Sequence, residues 1–181
     1  MQKWGVFCVA PGILLALLMA ACTHGAAHEQ SRGLYRPVDL PAPVVQTRSK
    51  LLKAAQAGDL QALQPILEQA EYFQFSYAVA SDPIAYWQQN VDRQDGQTVL
   101  RALAQVLALP AARKPDGAFV WPYLASMPAQ PYEELTPEQA ADVSLLMTRE
   151  DWNRRAAEVG YTGYRLTIRA DGTWIGFIAG D

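Results

Sequence analysis

The chain is predicted to be an α+β domain: helices, then a small antiparallel sheet that ends in a C-terminal β-hairpin. Three observations predict it. Capping residues precede apolar residues at helical spacing several times between Thr47 and Gly160. Near the end, Tyr164, Leu166 and Ile168 alternate with Arg165, Thr167 and Arg169, and Asp171-Gly172 follows as a turn. No helical segment lies between two strong apolar strands, which argues against parallel βαβ winding. The length of 181 residues allows one domain. With 50% hydrophobic and 18% charged residues, the composition is globular.

The N-terminus reads as an address. Met1 to Lys3 is short and positive, and Trp4 to Ala21 is uncharged and mostly apolar, the pattern of a secretory signal. Small residues precede a cysteine in Leu18-Met19-Ala20-Ala21-Cys22, as in a bacterial lipobox, although Met19 stands where Leu is usual. The preferred reading is lipidation at Cys22. The alternatives are ordinary cleavage after Gly25-Ala26-Ala27 and an uncleaved anchor, since about 18 apolar residues is the lower edge of a span. Residues 1–27 are thus expected to be the signal. Residues 28–46, polar and carrying Pro37, Pro41 and Pro43, are expected to be a flexible tether, and 47–181 the single folded domain.

Within that domain, Thr47 or Ser49 is expected to cap a first helix with Leu51, Leu52 and Ala55 on one face, ended by Gly58. Asp59 caps the next, whose stripe is Leu60, Leu63, Ile66 and Leu67, with Pro65 forcing a kink or restart. Phe73 to Tyr77 alternates as a short strand. Ser81-Asp82-Pro83 opens a helix with Ile84 and Trp87 inward. After Asp95-Gly96 a clearer helix carries Val99, Leu100, Leu103, Val106 and Leu107, and Pro110 stops it. Residues 111–117 read as a loop. The segment AFVWPYLA reads as a strand ending at the Trp121-Pro122 bond, because the residue before proline favours extended backbone.

Thr136-Pro137-Glu138-Gln139 is a capping box with proline at the first helical position, and Val143, Leu146 and Met147 are its buried side. Thr148, with Asp151 three later, caps a last helix bearing Trp152, Ala156 and Val159 and stopping at Gly160. The hairpin is expected to close on a two-residue type I′ turn at Asp171-Gly172. That register sets Ile168 against Ile175 and Leu166 against Phe177 on the inner face. It leaves Arg165, Arg169 and Trp174 on the outer face, with Arg169 opposite Trp174.

Counting excludes several chemistries. The only cysteines are Cys8 and Cys22 and the only histidines His24 and His28, so Glu29 to Asp181 has neither. Cys-His and Ser-His-Asp catalysis are thereby removed from the folded part, as are zinc sites built on thiolate or imidazole. No disulfide can staple it, and no cofactor is implied. The net charge of -3 and the scattered basic residues speak against nucleic acid as a partner.

Three clusters remain. Asp82, Asp92 and Asp95 are acidic, and DRQDG at 92–96 has the start of a calcium loop but lacks its third ligand and closing glutamate. They are expected to be helix caps and a turn residue. Trp121, Tyr123, Tyr132, Tyr161, Tyr164 and Trp174 are aromatics among prolines that either line a groove for glycans or extended peptides or fill the core. Arg165, Arg169 and Trp174 form the outer hairpin face, suited to an anion or a partner's carboxylate. The candidate binding residues are accordingly Trp121, Tyr123, Arg165, Arg169 and Trp174, with no catalytic residue assigned.

WPYLA, LTPEQ and the terminal YRLTIRADGTWIGFIAGD together resemble a family of small exported bacterial proteins of unknown function, over roughly Leu51 to Asp181. The resemblance implies export and transfers no activity to any residue. The expected function is a noncatalytic binding or accessory domain of the bacterial envelope, lipid-anchored at Cys22, with an envelope protein or a glycan as partner. The alternative is a carboxylate-dependent envelope hydrolase acting on glycans.

Overall fold

The computed structural model describes residues 38–77, 81–91 and 98–179. Cys22, the signal and most of the predicted tether lie outside these residues, as do Asp92 and Asp95.

Helix α1, Ala42–Ala57, begins five residues before the expected cap. Pro41 and Pro43, read as tether residues, are its entry. A proline in the first turn removes only an N–H that has no helical partner there. Val44 is fully buried in that first turn. Thr47 is therefore a buried mid-helix residue rather than a cap. Gly58 ends α1 in the left-handed conformation, its N–H on the carbonyls of Ala54 and Ala55. Asp59 accepts from Ala62 N at 3.1 Å and starts a tight turn, Gln61–Leu63. Pro65 restarts it as α2, Gln64–Leu67.

Helix α3, Pro83–Asn90, is capped by Asp82, whose carboxylate accepts from Ala85 N at 3.1 Å, and it buries Ile84 and Trp87. Helix α4, Thr98–Ala108, buries the five apolar residues its spacing predicts. Arg48 of α1 donates to the carbonyl of Leu107 at 2.6 Å, which joins the first helix to the end of the fourth.

The sheet has four antiparallel strands in chain order: β1 Ala112–Arg113, β2 Phe119–Trp121, β3 Arg165–Ile168 and β4 Trp174–Ile178. β1 lies in the segment read as a loop, since two residues are too few for a periodic signal. One sheet face carries Phe119, Trp121, Leu166, Ile168, Trp174 and Phe177 into a core shared with α1 to α4. The other face, at Ala112 and Val120, supports a second core. That core is built by the long β2–β3 connection: turns Tyr123–Ser126 and Tyr132–Glu134, then α5 Pro137–Ser144, α6 Arg149–Asp151, a π turn Trp152–Ala156 and α7 Ala157–Val159. The architecture is α+β, with the sheet between the two sets of helices, and both caps at Thr136 and Thr148 form as their sequences predict.

Three further local expectations are corrected. Phe73 to Tyr77 is not a full strand: Gln74 alone bridges β4, in parallel, with bonds from Gln74 N to Ile175 O (3.0 Å) and from Phe177 N to Gln74 O (2.9 Å). Val159 is 65% exposed rather than inward. The π turn before it is wider than an α turn, so the buried position passes from 159 to Gly160.

The third correction is the hairpin register. A type I′ turn needs positive φ at both central residues, and of Asp171 and Gly172 only Gly172 has it, at +92°. The loop instead holds three residues, closed by Gly172 N to Arg169 O and Arg169 N to Thr173 O, each 2.9 Å. Leu166 faces Phe177 as expected, but Ile168 faces Trp174 across a β-bulge. Trp174 thereby turns into the core, 0% exposed, and Ile175 turns out.

Candidate functional site

The connection between β2 and β3 packs on the outer sheet face at Ala112 and Val120 and leaves a recess beside β3 and β4. A cleft of about 400 Å³ results, within the range of small-ligand sites. Its floor is the outward side of the last two strands: Arg165, Thr167, Gly176 and Ile178. Its far wall is Ser126, Met127, Val159, Gly160 and Tyr161. Gln74 and Ile175 close one side and Lys114, from the β1–β2 turn, another.

Two backbone irregularities shape this cleft. The π turn carries Val159 out of the second core onto the wall, and the bulge turns Ile175 out of the first core onto the side. Features of both kinds are over-represented beside functional sites. Each delivers an aliphatic side chain where a regular helix or strand directs it into the core.

The polar groups are held from behind. Arg165, half-buried, donates to the carbonyl of Tyr161 at 3.3 Å and to the Tyr77 hydroxyl at 3.1 Å. The Tyr161 hydroxyl donates to Tyr164 O at 3.3 Å, and burial raises its pKa above the ordinary tyrosine value despite the opposing charge of Arg165. Lys114 pairs with Asp116 at 3.4 Å in an exposed contact. Asp116 lies below the usual carboxylate range, chiefly because its carboxylate accepts from Ala118 N at 3.0 Å.

Of the candidate binding residues, only Arg165 lies on this cleft. Trp121 and Trp174 are core residues: Trp174 sits in an aromatic group with Phe73 (centroids 4.6 Å apart), Trp87 and Phe177, and its indole N–H donates to Gly176 O at 3.0 Å. Tyr123 is buried in the second core, where its hydroxyl donates to Asp142 at 2.9 Å. Arg169 is exposed at the turn end of the hairpin, in an adjoining recess with Asp116 and Asp171 that shares Ile175 with the cleft. Arg169 and Trp174 do not share an outer face as expected, since Trp174 pairs with Ile168 and turns into the core. Among the described residues, a cation–π contact forms between Arg149 and the Tyr132 ring, at 5.3 Å. Arg149 also pairs with Glu133.

Four of the described carboxylates serve local structure. Asp59 and Asp82 cap turns or helices, and Asp116 and Asp171 each accept from the N–H two residues on. Among the described residues, no group of three or more Asp, Glu, His or Cys is placed to hold a metal ion. Sequence reasoning missed Lys114, Val159 and Ile175. Each reaches the cleft through an irregularity or a two-residue strand that periodicity does not encode.

Comparison with protein-family models, curated proteins and solved structures finds no match to this chain.

Proposed function

We propose that this is a noncatalytic binding or accessory domain of the bacterial envelope, exported and held to the membrane by lipid at Cys22, with the cleft over β3 and β4 as its ligand seat. The observation that carries the binding reading is the convergence of Val159 and Ile175, from two unrelated irregularities, on one cleft. Asp59, Asp82, Asp116 and Asp171 support it over a glycan hydrolase, because each bonds to a backbone N–H group at a cap or turn. The export reading is supported by the positive start, the apolar run and the MAAC sequence, and by the resemblance of the WPY and DGTW elements to exported proteins.

Two measurements test it. Cys22→Ser is expected to move the chain from the membrane fraction to the soluble fraction; a wild-type chain that is already soluble, with a mature N-terminus near His28, overturns lipidation. A panel of small organic fragments, followed by amide chemical shifts, is expected to perturb Thr167, Ile175 and Gly176 first. Perturbations that cluster elsewhere, or nowhere, overturn the cleft as the seat.

A further inference from the structure

Independently of the cleft, we propose that the groove between α1 and α2 docks an amphipathic helix of a partner protein. That helix carries acidic side chains in its first turn and a basic one about two turns on, and it lies parallel to α1. Lys50, Lys53, Ala54 and Ala57 are spaced so that they share one face of α1. The face borders a groove of about 410 Å³, whose other wall is Ala62 of the tight turn and Pro65 and Ile66 of α2. Helices form both walls, so their backbone N–H and C=O groups are bonded within the helices and the groove offers alkyl surface. An extended peptide laid there leaves its own backbone unpaired, whereas a helix brings its backbone already paired.

The charges on the groove give the occupant its direction. Lys50 and Lys53 stand toward one end and Asp59 at the other, all three exposed. Among the described residues, neither lysine has an ion pair or a hydrogen bond. Asp59 accepts from Ala62 N through one oxygen. At about 1.5 Å per residue, Lys50 and Ala57 are about 10 Å apart along α1, or two turns of a partner helix. Acidic residues in the partner's first turn meet the lysines, and a basic residue two turns on meets Asp59. Charges in that order also favour the partner's own helix dipole. An anionic membrane surface suits the lysines but is repelled by Asp59.

The test titrates the full chain with two stapled helical peptides of about four turns, alike in composition and in their leucine-alanine face. One has glutamates in its first turn and a lysine two turns on; in the other these charges trade ends. The amide shifts of Ala54, Ala57 and Ala62 are followed. The first peptide is expected to bind about five-fold more tightly, the sum of three exposed charge pairs turned from attraction to repulsion, and the advantage is expected to fall with salt. Lys50→Glu with Lys53→Glu is expected to reverse the preference. Both side chains are exposed, and Lys53→Gln alone, expected to reduce the preference, keeps the test sound if the double variant folds poorly. Equal binding of the two peptides overturns the proposal, and so does an absence of shifts at the three amides. Shifts there that grow with protein concentration alone assign the groove to a second copy of the chain and overturn it. Binding to phosphatidylglycerol vesicles that the double variant loses, with neither peptide bound, makes the face a membrane contact and overturns it as well.

Discussion

The hydroxyl of Thr47 in α1 donates a buried hydrogen bond of 2.7 Å to the carbonyl of Gly172 in the hairpin turn, 125 positions along the chain. The same glycine lies against the start of α1. A Cβ at Gly172 would come within 2.8 Å of Pro43 O, and its φ of +92° strains any L residue. The first helix and the last turn are thus locked together. Gly172→Ala is expected to cost at least about 2 kcal/mol from backbone strain and the collision together. Thr47→Val, which leaves a buried carbonyl without its donor, is expected to cost about 1–3 kcal/mol. Urea unfolding of the two variants checks both, and a wild-type midpoint for Gly172→Ala shows that the turn does not touch α1.

Trp174 and Phe177 both belong to the core, so truncation of either is expected to be severe. Trp174→Ala and Phe177→Ala should each cost about 3–5 kcal/mol, a large part of a domain's 5–15 kcal/mol. Arg169→Ala, at an exposed turn position, should stay within about 0.5 kcal/mol. Thermal melting of the three orders them. A mild Trp174→Ala contradicts the bulged register and restores the two-residue turn.

The π turn predicts a contrast between two valines. Val143 is fully buried in the second core, whereas Val159 is exposed on the cleft. Val143→Ala removes two buried carbon groups and is expected to cost about 2 kcal/mol. Val159→Ala is expected to change stability by less than about 0.5 kcal/mol while weakening the binding of small organic fragments at the cleft. Equal destabilisation by the two contradicts the shift of the buried face from 159 to 160.

Alkaline pH should unfold the domain through two tyrosines. Burial raises the pKa of Tyr123, helped by its bond to Asp142, and burial also raises that of Tyr161. An unfolded chain releases its tyrosine protons near the ordinary value of about 10. Below pH 10 both states hold the proton and stability is unaffected. Above it only the folded state does, so stability falls by about 1.4 kcal/mol per pH unit for each group. Stability measured from pH 8 to 12 should show this slope, and Tyr161→Phe should make it shallower. An unchanged slope in that variant shows that Tyr161 ionises normally in the folded protein.

Local signals were enough for four features of the later helices. The Asp82-Pro83 start, the Thr136 capping box, the Thr148 cap and the five-residue stripe of α4 each depend on residues within a turn or two, where side chain and backbone meet whatever the rest of the chain does. The α+β class and the Leu166–Phe177 pairing were legible for the same reason, since a hairpin is nearly local. The prolines at 41 and 43 misled because they suit a tether and a helix's first turn equally well, and burial of Val44 in the core decides between them. Tertiary structure alone decided the rest. Period-2 alternation places Trp174 outside and Ile175 inside, yet the large indole fits the space between Phe73, Trp87 and Phe177, and one bulged residue reverses the pair. The cleft follows from that bulge, the π turn and the path of the long connection, which bring Lys114, Val159, Arg165 and Ile175 together from distant positions. Caps and stripes are energies of near neighbours and are written in sequence order; a cleft is the space left when distant surfaces pack, and no spacing in the chain encodes it.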